Sequence, residues 1–167
     1  DTESNNRYYQ NHIWGGSTAQ TRCHVGIQIR EGIVRLGQPD NPQAYQNVIR
    51  NCDIGAWVSY DDTRINSAKI YNNVVSHDTG TGSEAGVLVS QGSVGAEIYN
   101  NIIHGYPYPL MYFTPLATTV AYSNRNLFHH SSAMSWSVGY YATTYAPLGA
   151  WRTATGFDIN SIQANPQ

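Results

Sequence analysis

Charge is what this sequence has least of. Only 12% of its 167 residues are Asp, Glu, Lys or Arg, about half the usual share, and Lys69 is the single lysine. A net charge of −2 offers no basic stripe for a phosphate backbone, so no nucleic-acid partner is expected. No apolar run approaches the ~20 residues of a membrane-spanning helix. The opening Asp1-Thr2-Glu3-Ser4-Asn5-Asn6 lacks the basic and apolar blocks of a signal peptide, so a secreted protein would be seen here in mature or excised form. Two cysteines are too few for a disulfide scaffold. No helical period of any length precedes residue 146. Asn, Ser, Thr, Gly and 13 tyrosines fill the polar positions instead. Such a surface of amides, hydroxyls and phenols suits a turn-rich β protein, and also an extracellular protein that faces sugars.

What is present is a repeat. Ala68-Lys69-Ile70-Tyr71-Asn72-Asn73-Val74-Val75 returns 28 residues later as Ala96-Glu97-Ile98-Tyr99-Asn100-Asn101-Ile102-Ile103. A period of this size marks stacked architectures in which each unit is laid against the next. A second element lies between the copies: Gly26-Ile27-Gln28-Ile29-Arg30, Gly55-Ala56-Trp57-Val58-Ser59 and Gly86-Val87-Leu88-Val89-Ser90 align, with Pro109-Leu110-Met111-Tyr112-Phe113 as a fourth copy. Alternation makes each a short strand. One inward column is then Ile27, Ala56, Val87 and Leu110, and another Ile29, Val58, Val89 and Tyr112. Ile70 and Ile98 point inward before the chain bends at Asn73 and Asn101, with related turns near Asn11, Asn51 and Asn126. Asparagine at such a bend tolerates left-handed backbone and can hydrogen-bond its equivalent in the next coil. The pattern predicts an all-β fold: a right-handed parallel β-helix (solenoid) of roughly five to six coils in one domain, 1–167.

Equal phase makes further predictions. Lys69 and Glu97 should meet on an outward face. Cys23 and Cys52 each precede a repeated glycine by three residues, so they should be neighbours in successive coils at the ~4.8 Å strand spacing. A disulfide accepts that separation. Parallel stacking also suits two buried thiols, because side chains of equal phase point the same way.

The Ile-Tyr-Asn-Asn-Val-Val and Gly-Val-Leu-Val segments resemble the parallel β-helix repeat of polysaccharide lyases, pectinolytic enzymes and related bacterial surface proteins. The tail from Trp151 to Ile162, with Gly156-Phe157-Asp158-Ile159-Asn160-Ser161, is similar to that superfamily's closing coil, where a short Trp-bearing helix precedes the turn and a last strand. Here the helix is expected near 147–154, with Pro147 in its first turn and Gly156 at its C-terminal cap. Both ends look cut. The expectation is a piece of a longer chain, its terminal coils covered by the rest of the parent chain or by a neighbouring subunit. The resemblance implies an extracellular or cell-surface location and a polysaccharide partner. It is poor in chemistry, because many activities ride on this fold.

Candidate site residues follow from the outward columns. Gln28, Trp57, Leu88 and Met111 form one, and an exposed stripe of Trp57, Leu88 and Met111 would be a platform for sugar rings unless a loop covers it. Gln91 lies just beyond, and Gln28, Trp57, Gln91 and Met111 are the expected substrate-binding residues. A lyase needs a cation for the uronate carboxylate and a base for the adjacent proton. Arg30 suits the first role, Tyr60 or His77 the second, with Asp61 nearby. Asp61 and Asp62 could instead serve as acid and base or hold Ca²⁺ through oxygens, aided by Glu31 or Asp78. The combination of Asn-x-Asp, paired Asp with His-Gly, and Arg-x-Lys that marks pectin hydrolases does not occur together, and His104-Gly105 stands alone. His129-His130 is a weak metal signal, since adjacent strand residues face opposite ways. The aromatic stretch Trp136, Tyr140, Tyr141, Tyr145 and Trp151 either extends a sugar face or packs the last coil. Two functions remain open at this point: cleavage of an acidic polysaccharide by β-elimination, or a non-catalytic glycan-binding or structural module of a large surface or filamentous protein.

Overall fold

The computed structural model describes residues 7–16, 18, 21, 23–30, 41–59, 67–78, 82, 84–90, 95–112, 120–139 and 142–166. The expected site residues Tyr60, Asp61, Asp62 and Gln91 lie outside the described residues, as do Glu31, Tyr140 and Tyr141. For Arg30 only the backbone is described.

The chain visits three sheets in the same order over and over. Its first round is β1 (Arg7–Tyr9), β2 (His12–Trp14) and β3 (Cys23–Arg30), and its second is β4 (Gln43–Tyr45), β5 (Val48–Arg50) and β6 (Cys52–Ser59). The third is β7 (Lys69–Tyr71), β8 (Val74–Ser76) and β9 (Ala85–Val89), and the fourth β10 (Ala96–Tyr99), β11 (Ile102–His104) and β12 (Tyr108–Tyr112). The fifth is β13 (Val120–Asn124), β14 (Leu127–His129) and β15 (Trp136–Val138). Then come β16 (Thr143–Tyr145), helix α1 (Leu148–Thr155) and β17 (Ile162–Gln163). Sheet A is ordered β1-β4-β7-β10-β13, sheet B β2-β5-β8-β11-β14-β17 and sheet C β3-β6-β9-β12-β15-β16. The result is an all-β, β-helix-like stack of parallel sheets. The predicted register holds: Ile27, Ala56, Val87 and Leu110 align, as do Ile29, Val58, Val89 and Tyr112, and all eight side chains are buried. One pairing departs from the repeat, since β16 returns antiparallel to β15, with Trp136 opposite Tyr145.

The corner between sheets A and B divides between two residues the roles first assigned to one asparagine. Gln10, Gln46, Asn72, Asn100 and Arg125 take the left-handed conformation, with φ from 55° to 56°. The residue after each one, Asn11, Asn47, Asn73, Asn101 or Asn126, turns its amide along the stack. Asn47 Nδ2 donates to Asn73 Oδ1 (2.9 Å), Asn73 Nδ2 to Asn101 Oδ1 (3.0 Å) and Asn101 Nδ2 to Asn126 Oδ1 (3.1 Å). Asn47 is thus the second-round member of this ladder. Asn51, named from sequence, sits at the next corner with φ 57° and bonds Asp78. The ladder ends at Ser161, whose Oγ accepts the Asn126 backbone N–H at 2.8 Å.

The repeated glycines of sheet C answer a packing demand. A β-carbon on Gly26, Gly55 or Gly86 would run into Ile49, Val75 or Ile103, and into the carbonyl oxygen of Gly55, Gly86 or Pro109 in the next round. Sheets B and C meet too closely there for any side chain. Cys23 pairs in register with Cys52, their Cα atoms are 4.4 Å apart, and they form a disulfide. The alternative of two buried thiols is thereby set aside.

The last round is closed as expected. Trp151 of α1 is fully buried and stacks on Tyr112 with ring centroids 5.7 Å apart. Its indole N–H donates to Asp158 Oδ2 at 2.9 Å. That buried carboxylate also accepts from Ser123 Oγ, Asn126 Nδ2 and Ser161 Oγ, as a carboxylate taken out of water must. Gly156 caps α1 at φ 73°, its N–H reaching Arg152 O.

Candidate functional site

On the outer face of sheet C, Gln28, Trp57, Leu88 and Met111 do align as one column. Of the two readings of the stripe, open platform or covered face, Leu88 and Met111 follow the second. Leu88 is 4% and Met111 2% exposed. With Ala85 they form a second apolar cluster, separate from the main core, against which Ile54, Trp57 and Tyr108 pack. Trp57 is half-buried, and its indole N–H donates to Ser90 Oγ at 2.5 Å. Gln28 is likewise half-buried. Surface for a ligand on this column is therefore confined to Gln28 and Trp57, in the first two rounds. Trp136, weighed as part of a sugar face, is fully buried and packs edge-on against Phe128.

The structure does not bring His77 to Arg30. His77 directly follows β8, at the corner where sheet C begins, whereas Arg30 pairs with Ser59 at the far end of β3 and β6. The length of an eight-residue strand lies between them, on the order of 20 Å. His77 is also only 3% exposed. Asp78, considered as a further metal ligand, is engaged by Arg50 (2.9 and 3.1 Å) and Asn51 (3.1 Å). The Asn51 amide and the Arg50 guanidinium hold its carboxyl below the usual value against the opposing effect of burial.

Sheet A carries a row of stacked tyrosines. Tyr9, Tyr45, Tyr71 and Tyr99 occupy one outward column, with successive ring centroids 5.3, 5.1 and 5.1 Å apart and planes within 8° of parallel. Tyr122 closes the row edge-on to Tyr99. Where neighbours stack, the ring faces cover one another, so the middle of the row presents edges to solvent, while Tyr9 at its end is half exposed. Beside it Lys69 Nζ and Glu97 Oε2 form the expected ion pair at 3.2 Å. The signal was the tyrosine shared by both copies of the asparagine repeat.

Among the described residues, a group of acidic and imidazole side chains able to hold a metal ion stands at the corner of sheets B and C. Asp53 of β6, His77 after β8 and Glu84 before β9 each offer a donor atom, all within 4.8 Å of one another. His77 and Glu84 are 3% and 5% exposed, and the Asp53 side chain is 29% exposed. His77 meets the ring of Tyr106 edge-on, centroids 5.5 Å apart. Its backbone N–H bonds His104 O at 2.9 Å, and a β-carbon on Gly105 would collide with its carbonyl oxygen. The imidazole therefore hangs from fixed backbone. Tyr106 donates to Cys52 O at 3.0 Å. Burial, with the negative charge of Asp53 and Glu84, pushes its phenol well above the ordinary value. On the solvent side His24 Nδ1 lies 3.1 Å from Asp53 Oδ2, and the Gly82 N–H donates to Glu84 Oε2 at 2.7 Å. Of this group only His77 was singled out from sequence. The clue to the others was the glycine alignment, since His24, Asp53 and Glu84 each stand two residues before a repeated glycine.

Compared with protein families, with curated proteins and with solved structures, the chain shows no match.

Proposed function

We propose that the protein is a right-handed parallel β-helix of the carbohydrate-directed kind, extracellular or surface-exposed, which lays an acidic polysaccharide across the outer face of sheet C in its first two rounds. One observation carries this reading: Gln28 and Trp57 lie side by side on paired strands, partly open, with the indole edge pinned by Ser90. An amide next to a fixed indole is a pairing suited to sugar hydroxyls and C–H faces. The chain's composition, rich in amides, hydroxyls and phenols, agrees with a sugar partner, while its low charge favours the second reading below. The reaction we assign to this face is β-elimination. Arg30 neutralises the uronate carboxylate; Tyr60 takes the proton from the carbon beside it as the neighbouring glycosidic C–O bond breaks and the double bond forms, then returns that proton to the leaving oxygen. Asp61 and Asp62 would hold a Ca²⁺, which would supply further positive charge for the carboxylate. His77 is left out of this assignment because it is buried at the other end of the sheet.

A second reading, glycan binding without cleavage, is favoured by the closed state of Leu88 and Met111, which leaves a short contact surface. One experiment separates the two. The protein is incubated with a panel of uronate-containing polysaccharides, with and without Ca²⁺, and unsaturated product is followed by its near-ultraviolet absorbance. Product that disappears in Arg30→Ala and Tyr60→Phe supports the lyase. Retention on an immobilised polysaccharide that Trp57→Ala abolishes, with no product, selects the binding module. Neither product nor retention on any member overturns the proposal.

A further inference from the structure

We propose that Asp53, His77 and Glu84 form a binding site for one divalent transition-metal cation of the Zn²⁺ class, which ties the second round of the chain to the third.

The donor set is one imidazole nitrogen and two carboxylates, whose two negative charges match a doubly charged ion. Imidazole favours Zn²⁺ and its neighbours over the hard Ca²⁺ and Mg²⁺, which prefer an all-oxygen shell. Ligand atoms bound to one such ion at ~2.0–2.2 Å sit roughly 3–4 Å from one another. The three donors, within 4.8 Å of each other, need only small side-chain shifts to close on it. They come from different strands' ends: Asp53 from β6, His77 and Glu84 from the two flanks of the β8–β9 connection. An ion here would join two rounds and also pin both flanks of that connection.

The surroundings supply what a metal site uses around its ligands. His77 is set by the Tyr106 ring and by fixed backbone on both sides. Asp53 is approached by His24, and Glu84 by the Gly82 N–H. Such outer contacts orient ligands and tune their basicity. Two carboxylates drawn together out of water also need a compensating positive charge, which a cation or a shared proton can provide. A proton shared with the imidazole supplies one positive charge against the two carboxylates, and a divalent cation supplies two. This inference does not rest on the glycan reading. It uses none of the residues assigned to the polysaccharide, and its readout involves no polysaccharide.

The test is titration of the chelator-treated full chain with Zn²⁺ by calorimetry, alongside thermal unfolding with Zn²⁺, Ca²⁺ or Mg²⁺. The expected result is one Zn²⁺ bound per chain and a melting temperature raised by Zn²⁺ and not by millimolar Ca²⁺ or Mg²⁺. Asp53→Asn, at the half-open ligand, and Glu84→Gln should each weaken Zn²⁺ binding by tenfold or more. Co²⁺ in place of Zn²⁺ should give visible absorption that is lost in the same variants, and wild-type stoichiometry stands as the readout if a variant does not fold. Absence of binding by the wild type overturns the proposal in favour of a shared proton. Binding unchanged in both variants overturns it in favour of surface histidines such as His24 or His130. A shift produced by Ca²⁺ and not by Zn²⁺ overturns the assigned class of ion.

Discussion

Truncating one amide in the middle of the asparagine ladder should cost far more than truncating one at its end. Asn73 Oδ1 accepts from the Asn47 backbone N–H (3.0 Å) and from Asn47 Nδ2 (2.9 Å), while its own Nδ2 donates to Ala44 O (2.9 Å) and Asn101 Oδ1 (3.0 Å). In Asn73→Ala the Asn47 amide keeps Tyr8 O, and Asn101 Oδ1 keeps the Asn73 backbone N–H. The Asn47 N–H and the Ala44 carbonyl lose these partners in a buried corner. At ~1–3 kcal/mol for each group stranded out of water, with a small cavity added, the loss should be about 3–5 kcal/mol. Asn11 is exposed and makes the same side-chain contact only once, from Nδ2 to Asn47 Oδ1 at 3.0 Å. The Asn11 backbone N–H keeps its bond to that oxygen. Asn11→Ala should therefore cost under ~1 kcal/mol. Urea unfolding followed by circular dichroism and by tryptophan fluorescence measures both, provided the two signals coincide as a two-state transition requires. If Asn73→Ala falls within ~1 kcal/mol of Asn11→Ala, the ladder is not a chain of buried obligatory bonds and the energetic reasoning fails. Asn72→Gly provides a control: it occupies the left-handed position next door, with φ 55°, and should be neutral or slightly stabilising.

Three further outcomes are expected. Reducing the Cys23–Cys52 bridge, which spans 29 residues, should lower stability by about 3–4 kcal/mol on the chain-entropy estimate, and an unfolding midpoint unmoved by reductant would contradict it. The half-exposed Lys69–Glu97 pair should be worth ~0.2–1 kcal/mol in a double-mutant cycle and fade with salt; a coupling above that range would mean the pair is less solvated than it looks. Burial, then the charge of His129 stacked on it at 5.1 Å, lower the His104 pKa, with Asp78 opposing and His130 and Arg50 adding to the effect. The unfolded chain therefore binds the proton more readily. Stability should be full above the unfolded value of about 6.5 and fall as pH drops toward the lower folded value. His104→Gln should flatten that fall, and a slope unchanged from wild type would remove His104 as its source.

Much of the architecture was legible because it rests on columns of like residues. A strand alternates with a period of two, and a stacked chain repeats its phase from round to round. Equal phase alone was therefore enough to place Ile27 over Ala56, Lys69 beside Glu97 and Cys23 beside Cys52. The Trp151 helix, with Gly156 closing it and Asp158 beneath, was legible for a similar local reason, since caps and turns are written in neighbouring residues. The antiparallel return of β16 was not, because Trp136 and Tyr145 carry no phase that distinguishes a hairpin from one more round.

What phase cannot state is how deep a residue lies, and that decided the candidate site. Leu88 and Met111 point outward as their positions require, yet they are buried, clustered with Ala85 and packed by Ile54, Trp57 and Tyr108. His77 belongs to a corner where its backbone is held by His104 and closely approached by Gly105, and its imidazole lies beside Asp53 and Glu84, a strand's length from Arg30. The sequence by itself determined which residues stack on which, since stacking follows from local alternation and repeat phase. Only the tertiary structure decided which of them meet water and which meet each other, because burial and convergence are set by how three sheets close around one core.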